Sequence, residues 1–311
     1  MNTLNNIEGK EIVDFLSDSR VWKKFLDEDG FAPGDIVIVD PFKAGTTWTQ
    51  RIIEQILNNG EESSEDLSDK SPWLDSSWGN HQKMIDKLRL QKNASVRRVI
   101  KSHLPSEVVP ICPDVRYIFV GRNGKDIVCS FHNYLKNFNQ ETVELINQLY
   151  HKWSGKDEKM EIPEKSADFF DLWMDMGDKY CDILHVTRSW WDVKEFENVM
   201  MLHYNELLHD LENQIARLAK FIEVDPGKLN LQKIAEHCNF NYMKQRSDRL
   251  VPFSGKHMTN SKSFFHKGPE RDYKNELSPD QIKRYNIIAD EKSGAECALW
   301  LETGKLPDVN S

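Results

Sequence analysis

The sequence predicts a single α/β domain in which a central parallel sheet is flanked by helices. Three observations support this class: short apolar runs read as buried strands, helix-patterned segments follow them, and the two kinds alternate along 311 residues. Hydrophobic residues make up 39% of the chain, enough for a large core. We expect one domain over 1–311, with a covering helix within 1–34, a core over 35–290 and a C-terminal tail over 291–311.

The first elements surround a loop rich in small residues. Spacing of the apolar residues Ile12, Val13, Phe15 and Leu16 predicts an amphipathic helix that covers the sheet. The apolar run "DIVIVD" at 35–40 predicts the first strand, and apolar side chains at helical spacing predict a helix over 46–59.

The later elements continue the alternation. The segment "VRRVIKSHLP" predicts a strand that ends before Pro105, and "VRYIFVGRNGKDIVCSFHNYL" predicts a strand that leads into a helix. Residues 135–192 carry few strand signals and are expected to be mostly helical. A further strand, "NVMMLHY", precedes the amphipathic helix "NELLHDLENQIARLAKFIEV", and a final helical region is predicted from about Ser278.

Composition and charge exclude several classes of protein. The net charge of −9 argues against a general nucleic-acid binder, which needs surplus Lys and Arg. No run approaches eighteen apolar residues, and the first residues lack a secretion pattern, so no membrane partner is expected. The five cysteines are odd in number and contain no CxxC pair, which argues against disulfides and zinc. A cytoplasmic location is therefore predicted, and no metal is expected.

The segment "DPFKAGTTW" predicts an anion-binding loop. A strand that runs through a small-residue loop into a helix collects backbone N–H groups and the positive end of the helix dipole at one point. Lys43 precedes Gly45, whereas a nucleotide-hydrolysing P-loop would place its lysine after the last glycine, as in GxxxxGK[ST]. Taken alone, "KAGTT" is equally compatible with an ordinary turn that carries an exposed lysine.

Four segments together resemble the cytosolic sulfotransferase family. "PFKAGTTW" is similar to the family's phosphosulfate-binding loop YPKSGTTW, and "IKSHLP" is similar to KTHLP. "VGRNGKDIVCSF" resembles the RNPKD…S element, and "FFHKGPERDYK" resembles the late loop RKGxxGDWK. These segments occur in the family's order between about 35 and 290, so the resemblance implies the sulfotransferase fold with its P-loop-like phosphosulfate-binding loop.

The resemblance implies a donor, 3′-phosphoadenosine 5′-phosphosulfate (PAPS), and a set of site residues. His103 corresponds to the catalytic base, Lys43 to the group that neutralises the leaving oxygen, and Lys101 would share the sulfonate charge. The donor-binding positions implied are Lys43, Ala44, Gly45, Thr46, Thr47, Trp48, Arg122, Ser130, Tyr204, Cys238, Phe240, His266, Lys267 and Gly268. The late loop departs from the family at His266, Arg271 and Tyr273, which predicts weaker donor affinity.

The implied reaction is transfer of a sulfonate group to the hydroxyl or amine of a small-molecule acceptor, an alcohol, a phenol or an amine. Residues proposed for the acceptor pocket are Phe131, His132, Trp153, Phe169, Phe170 and Trp173. Three alternatives stay open: elimination of the sulfonated intermediate, nucleotide binding without turnover, and a kinase with an unusual P-loop. The dimerisation motif of mammalian members, KxxxTVxxxE, is not recognisable, so a monomer and a homodimer are both compatible with the sequence.

Overall fold

A computed structural model describes residues 4–5, 9–14, 16–155, 159, 162–176, 182–265 and 273–306. Within this part of the chain the sheet has four strands, all parallel, in the order β2-β1-β3-β4. The strands are β1 (Ile36–Val39), β2 (Val99–Ser102), β3 (Arg116–Gly121) and β4 (Val199–His203). The predicted α/β class with a central parallel sheet is confirmed.

Strand order and register determine where a site can form. Val39, the last residue of β1, pairs with Ser102 of β2 and with Phe119 of β3, so the strands end at one edge. In the sheet, β2 lies on one side of β1 and β3 lies on the other side. Such a reversal leaves a crevice at the carboxyl ends of the strands, where ligands bind in open α/β sheets.

Helices cover both faces of the sheet. Those in the described residues are α1 (Arg20–Glu28), α2 (Thr46–Leu57), α3 (Leu67–Lys70), α4 (His81–Asn93), α5 (Gly124–Lys136), α6 (Gln140–Ser154), α7 (Ser166–Met176), α8 (Ile183–Asp192), α9 (Tyr204–His209), α10 (Leu211–Phe221), α11 (Leu231–His237), α12 (Phe240–Gln245), α13 (Ser247–Leu250), α14 (Pro279–Ser293) and α15 (Ala295–Thr303). Short 3₁₀ turns occupy Pro226–Lys228, Pro252–Gly255, Ser261–Phe264 and Tyr273–Asn275. In this part of the chain no helix has the length and apolar character needed to span a bilayer.

The strand β1 shows how the core divides into two layers. Its four residues are fully buried, and alternate side chains point to opposite faces of the sheet. Ile36 and Ile38 pack in a cluster with apolar residues of α2, α10 and α11. Val37 and Val39 pack in a second cluster with residues of α1, α5, α8 and α15. A strand with both faces covered needs the continuous apolar run that the sequence contains.

The N-terminal helix begins later than the sequence predicted. The helix α1 starts at Arg20, whereas Ile12 and Val13 precede it, Val13 in an isolated antiparallel bridge with Asp18, and Phe15 is outside the described residues. A carboxylate oxygen of Asp14 accepts hydrogen bonds from two backbone N–H groups, those of residues 16 and 17, at 2.7 Å each. Such local bonds compete with helix formation, which explains why the apolar spacing alone was misleading.

The segment 291–311, expected as a tail, contains a packed helix. Trp300 of α15 is 1% exposed, and its ring centroid lies 6.2 Å from that of Phe119 on β3. Gly121 permits this approach, because a Cβ atom there would overlap the indole ring. The helix α15 is therefore an integral part of the layer that covers β3.

Candidate active site

The predicted anion loop joins β1 to α2 through Pro41–Gly45. Phe42 and Lys43 adopt left-handed backbone angles, with φ of 62° and 51°, and Gly45 has φ of 131°. A Cβ atom at Gly45 would lie 3.2 Å from the ring of Tyr204 and 3.5 Å from Val120. Both the angle and the close approach favour glycine here. A tight turn of this kind can direct backbone N–H groups towards a bound anion.

The amino end of α2 is partly engaged by a carboxylate of the protein. The N–H of Thr46 donates to Oδ2 of Asp40 at 3.0 Å, and the Thr46 hydroxyl donates to the same oxygen. The family resemblance implies Thr46 as a donor-binding position. In this geometry a phosphate there competes with Asp40, whereas Thr47 contributes a further first-turn N–H that has no acceptor within the helix.

Two cations border the loop. The Lys43 ammonium lies 4.3 Å from the ring centroid of Tyr134 and 3.8 Å from that of Phe264. The guanidinium of Arg122 donates to the Lys43 carbonyl oxygen at 3.1 Å and stacks 4.3 Å from the Tyr204 ring centroid. Nε of Arg122 is buried and has no hydrogen-bond partner among the described residues. A buried donor of this kind favours an anionic ligand.

His103 lies at the carboxyl end of β2 and is 4% exposed. Its Nδ1 is 2.9 Å from the backbone oxygen of Asp40 and 2.6 Å from Oδ1 of the same residue. The imidazole stacks on Phe42, with ring centroids 3.8 Å apart, and meets the ring of Trp73 edge-on at 4.9 Å. Burial and the charge of Lys101 lower the pKa of His103 although Asp40 opposes them. A neutral imidazole is therefore favoured at neutral pH.

Lys101 and Asp75 are two further buried ionisable groups near His103. Burial lowers the pKa of Lys101 to about 8, against the opposing effect of Asp40 and Asp75. Burial raises the pKa of Asp75 to about 6, although its carboxylate accepts hydrogen bonds from Ser102 and from two indole groups. The Lys101 ammonium lies 4.9 Å from the ring centroid of Trp73.

Two of the aromatic residues among the implied donor-binding positions are in ring contact. The rings of Trp48 and Tyr204 meet at an angle of 70°, with centroids 5.4 Å apart. Nε1 of Trp48 donates to the backbone oxygen of Cys238 at 2.8 Å, which joins α2 to the segment before Phe240. The Cys238 side chain is fully buried, and burial raises the pKa of its thiol.

One cavity contains most of the predicted site residues. Those that line it are Lys43, Gly45, Thr46, Thr47, Trp48, Lys101, His103, Arg122, Ser130, Tyr204, Cys238 and Phe240. Ala44 is fully buried and is not among the residues that line the cavity. His266, Lys267 and Gly268 lie outside the described residues. Elements distant in sequence therefore converge at the carboxyl edge of the sheet.

Most of the residues suggested for an acceptor pocket lie elsewhere. Phe131 lines the cavity, but its neighbour His132 points away and contacts the backbone oxygen of Pro163 at 2.7 Å. Phe169, Phe170 and Trp173 are core residues, and Trp153 is 37% exposed on α6. The apolar end of the cavity is lined instead by Leu16, Trp73, Trp78, Phe131, Leu135, Phe138, Ile146 and Phe253.

Three residues that contact His103 were not predicted: Asp40, Phe42 and Trp73. Asp40 and His103 each follow the last residue of a strand, and Val39 pairs with Ser102, so the next residues also lie side by side. That contact could have been inferred once β1 and β2 were assumed to be neighbours. No sequence signal indicated that Phe42 stacks on His103, because its left-handed backbone angle directs the ring.

The described residues contain no group of three or more His, Cys, Asp or Glu side chains that could hold a metal ion. The described residues that line the cavity include no acidic side chain. The chemistry available there is cationic and basic: two lysines, one arginine and one histidine.

Comparison with known sequences identifies the class. A model of the family described as "Sulfotransferase domain" matches residues 33–295, so the chain belongs to this family and is a sulfotransferase. Mouse sulfotransferase 1B1 is 29% identical over 281 residues, which cover 87% of this chain and 86% of the relative. Bovine sulfotransferase 1E1 is 27% identical, with 86% and 88% covered. A glycolipid sulfotransferase of Mycobacterium bovis is 24% identical, with 88% and 89% covered.

Solved structures share the fold. Mouse sulfotransferase SULT7A1 complexed with PAP superposes with a TM-score of 0.64 at 21% identity, over 92% of this chain and 94% of that chain. Retinol dehydratase in a complex with retinol and PAP superposes with a TM-score of 0.58 at 16% identity, over 88% and 85%. The family membership predicted from the four sequence segments is thus confirmed.

Proposed function

We propose that this sulfotransferase takes its sulfonate group from PAPS and transfers it to the hydroxyl group of a largely apolar, ring-bearing small molecule. The observation that carries the proposal is the single cavity in which the anion loop, three cationic side chains and the buried His103 meet. PAP is the nucleotide in the mouse sulfotransferase structure that has this fold, which supports the choice of donor.

The donor end of the cavity has the charge that this ligand requires. Lys43, Lys101 and Arg122 line it without an acidic neighbour among the described lining residues. Arg122, with its unpartnered Nε, and Ser130 would bind the 3′-phosphate, since a guanidinium and a hydroxyl can together bind a phosphate dianion. Trp48, Tyr204 and Phe240 would enclose the adenine ring, because flat aromatic walls suit a flat heterocycle.

The chemistry follows from the groups at the carboxyl edge of the sheet. His103 would remove the proton of the acceptor's hydroxyl, and its lowered pKa keeps it neutral and able to do so. Lys43 and Lys101 would stabilise the negative charge that develops on the sulfonate and leaving oxygens. Burial of Lys101 and His103 strengthens the electrostatic effect, because little water is present to screen it.

The lining of the cavity supports an uncharged acceptor. The walls beyond His103 are mainly aromatic and aliphatic side chains, and no described lining residue carries a negative charge that could pair with a protonated amine. Lys43 and Lys101 would repel such a cation. Two acidic side chains of α7 bind elsewhere: Asp171 accepts from Gln281 and Asp175 from Arg284. A phenol or an apolar alcohol is therefore favoured over an amine.

We place the enzyme in the cytoplasm as part of the same proposal. Cys112, Cys129, Cys238 and Cys297, the four cysteines among the described residues, are buried free thiols. Free thiols are the normal state of cysteine in a reducing compartment. A thiol count on the native and the denatured protein, without reductant, would test this: fewer than five thiols after denaturation would contradict it.

Calorimetry with PAP tests the donor. We expect wild-type protein to bind PAP and Arg122→Ala to bind it about 10-fold to 100-fold more weakly, as loss of a charge-assisted hydrogen bond predicts. Arg89→Ala is the matched control, because Arg89 is half-buried on α4, does not line the cavity and pairs with Asp86 and Glu28. Absence of PAP binding by the wild-type protein would contradict the proposal.

Turnover with radiolabelled PAPS tests the reaction and the acceptor class. Phenols and apolar alcohols should be sulfonated and amines should not. His103→Ala should lower the rate about 10²-fold or more and leave PAP affinity unchanged. The control His209→Ala, at an exposed residue of α9, should leave both the rate and PAP affinity unchanged. The mass of the product separates a stable sulfate ester from an eliminated alkene, and PAP binding without turnover would indicate a binding protein.

A further inference from the structure

Asp40 occupies a position from which it contacts both the base and the anion loop. It follows β1 as His103 follows β2, and the parallel register places these two residues side by side. Oδ1 of Asp40 lies 2.6 Å from Nδ1 of His103, and Oδ2 accepts from the N–H of Thr46 at 3.0 Å. The carboxylate is 0% exposed, so it does not reach the cavity itself. It lies behind the reacting groups.

The surroundings of Nδ1 fix the tautomer of His103. This nitrogen faces two oxygens of Asp40, the backbone carbonyl oxygen at 2.9 Å and Oδ1, and both are acceptors. Nδ1 must therefore carry the proton, which leaves the lone pair on Nε2. The rings of Phe42 and Trp73 pack against the imidazole and limit its rotation.

The charged groups that act on His103 are Lys101, on its own strand, and Asp40, at the end of β1. The lysine opposes protonation of the imidazole, and the carboxylate favours it. The charge of Asp75 acts on Lys101. A buried base that accepts a proton next to an ammonium group needs a counter-charge, and Asp40 is the carboxylate that contacts it.

We propose that Asp40 is the positioning residue of the sulfotransferase: it fixes His103 with Nε2 as the base and stabilises the imidazolium ion that forms during transfer. This inference rests on the proposed function. In the step, the acceptor's hydroxyl proton moves to Nε2 and the acceptor oxygen forms a bond to sulfur. The bond from sulfur to the leaving oxygen breaks, and its electron pair departs with the nucleotide. The proton on Nδ1 stays on the imidazole, directed towards Asp40, throughout the step.

The same carboxylate joins the base to the anion loop. Thr46 opens α2, and its N–H and hydroxyl both donate to Oδ2. Asp40 therefore contacts the loop through one carboxylate oxygen and His103 through the other. A negative charge at this place also opposes a bound phosphate, so removal of the charge should not weaken nucleotide binding.

Asp40→Asn tests the role, because it keeps the shape and removes the charge. We expect kcat to fall about 10²-fold, and less than in enzymes where the same change reverses the tautomer, since the Asp40 carbonyl oxygen still holds Nδ1–H. The acid limb of kcat/KM against pH should move to lower pH, because His103 loses the charge that favours its protonation. PAP affinity should be unchanged or higher. Asp75, with a pKa of about 6, is present in both proteins and does not account for a difference between them.

Asp35→Asn is the matched control. Asp35 is a buried carboxylate at the opposite end of β1, and it pairs with the buried Arg98. Its loss should destabilise the fold without moving the acid limb. Asp40→Asn with an unchanged rate and an unchanged acid limb, or an acid limb moved to higher pH, would overturn the inference.

Nitrogen-15 NMR of histidine-labelled wild-type protein gives a readout that needs neither turnover nor a stable variant. His103, assigned by the signal lost in His103→Asn, should be protonated at Nδ1 when neutral. A neutral His103 protonated at Nε2 would refute the role assigned to Asp40. Absence of sulfonation by a wild-type protein that shows the expected tautomer would instead refute the proposed function, and with it the catalytic role of Asp40 that depends on it.

Discussion

The buried charge of Lys101 lowers the free energy of unfolding by an amount that can be measured. Lys101 is 7% exposed, and its pKa is about 8 instead of the ordinary 10.5, chiefly because of burial. Each pKa unit corresponds to about 1.4 kcal/mol, so the charged Lys101 destabilises the folded state at neutral pH by about 3 kcal/mol. Lys101→Met removes this charge and should raise the free energy of unfolding at pH 7 by up to that amount.

The pH dependence distinguishes this explanation from a change in packing. Between pH 8 and pH 10.5 the unfolded wild-type protein binds a proton that the folded protein has lost, so its stability rises with pH across this window. The advantage of Lys101→Met should therefore shrink from pH 8 upwards and vanish near pH 10.5. Urea unfolding at several pH values measures it, and Lys228→Met, at a side chain 83% exposed, is the control.

Lys101→Met should raise stability but lower turnover. Wild-type turnover should fall above about pH 8, where Lys101 loses the charge that stabilises the sulfonate oxygens. Lys101→Met should have lower turnover at every pH and no decline that begins near pH 8. A variant that is no more stable than wild type at pH 7, or one with full activity, would refute the assignment of a buried charged lysine.

Two further predictions concern the anion loop and the C-terminal helix. Gly45→Ala should weaken PAP binding about 10-fold or more, because φ of 131° is strained for alanine and the methyl group would press on Tyr204. Gly155→Ala, at φ of 67° with no atom within 4 Å, is the calorimetric control and should bind PAP normally. Trp300→Ala should lower the free energy of unfolding by about 3–5 kcal/mol in urea titration. Leu299→Ala, 55% exposed, should change it by less than about 1 kcal/mol, and equal effects would contradict the packing described here.

The strands and the anion loop were predictable because their signals are local. The four-residue strand β1 is a run of β-branched residues that can be buried only between two layers, and the loop carries the glycine that its backbone angle requires. Tyr204 and Phe240 were assigned to the site from the family resemblance alone, since no local sequence pattern separates them from core residues. Asp14 shows the limit of periodicity: a single side chain that binds backbone N–H groups ended the predicted helix.

The acceptor end was less predictable because adjacent residues of a helix face different directions. Phe131 and His132 are neighbours on α5, yet one lines the cavity and the other contacts Pro163. Consecutive helical residues are about 100° apart around the axis, so only packing decides which one faces the site. Asp40 was missed for another reason: its importance depends on strand pairing, and β1, which ends at Val39, is far in sequence from β2, which begins at Val99.

The arrangement of charges explains how an acidic chain can bind a polyanion. With a net charge of −9 the protein as a whole repels PAPS, so attraction must come from local order. Lys43, Lys101 and Arg122 face the cavity, whereas Asp40 and Asp75 are 0% exposed behind them. The buried carboxylates keep the nearby Lys101 and His103 able to hold a proton, and the cavity itself presents only positive charge among its described charged residues. Added salt screens the distant repulsion more than these short, buried contacts, so PAP affinity should depend weakly on ionic strength.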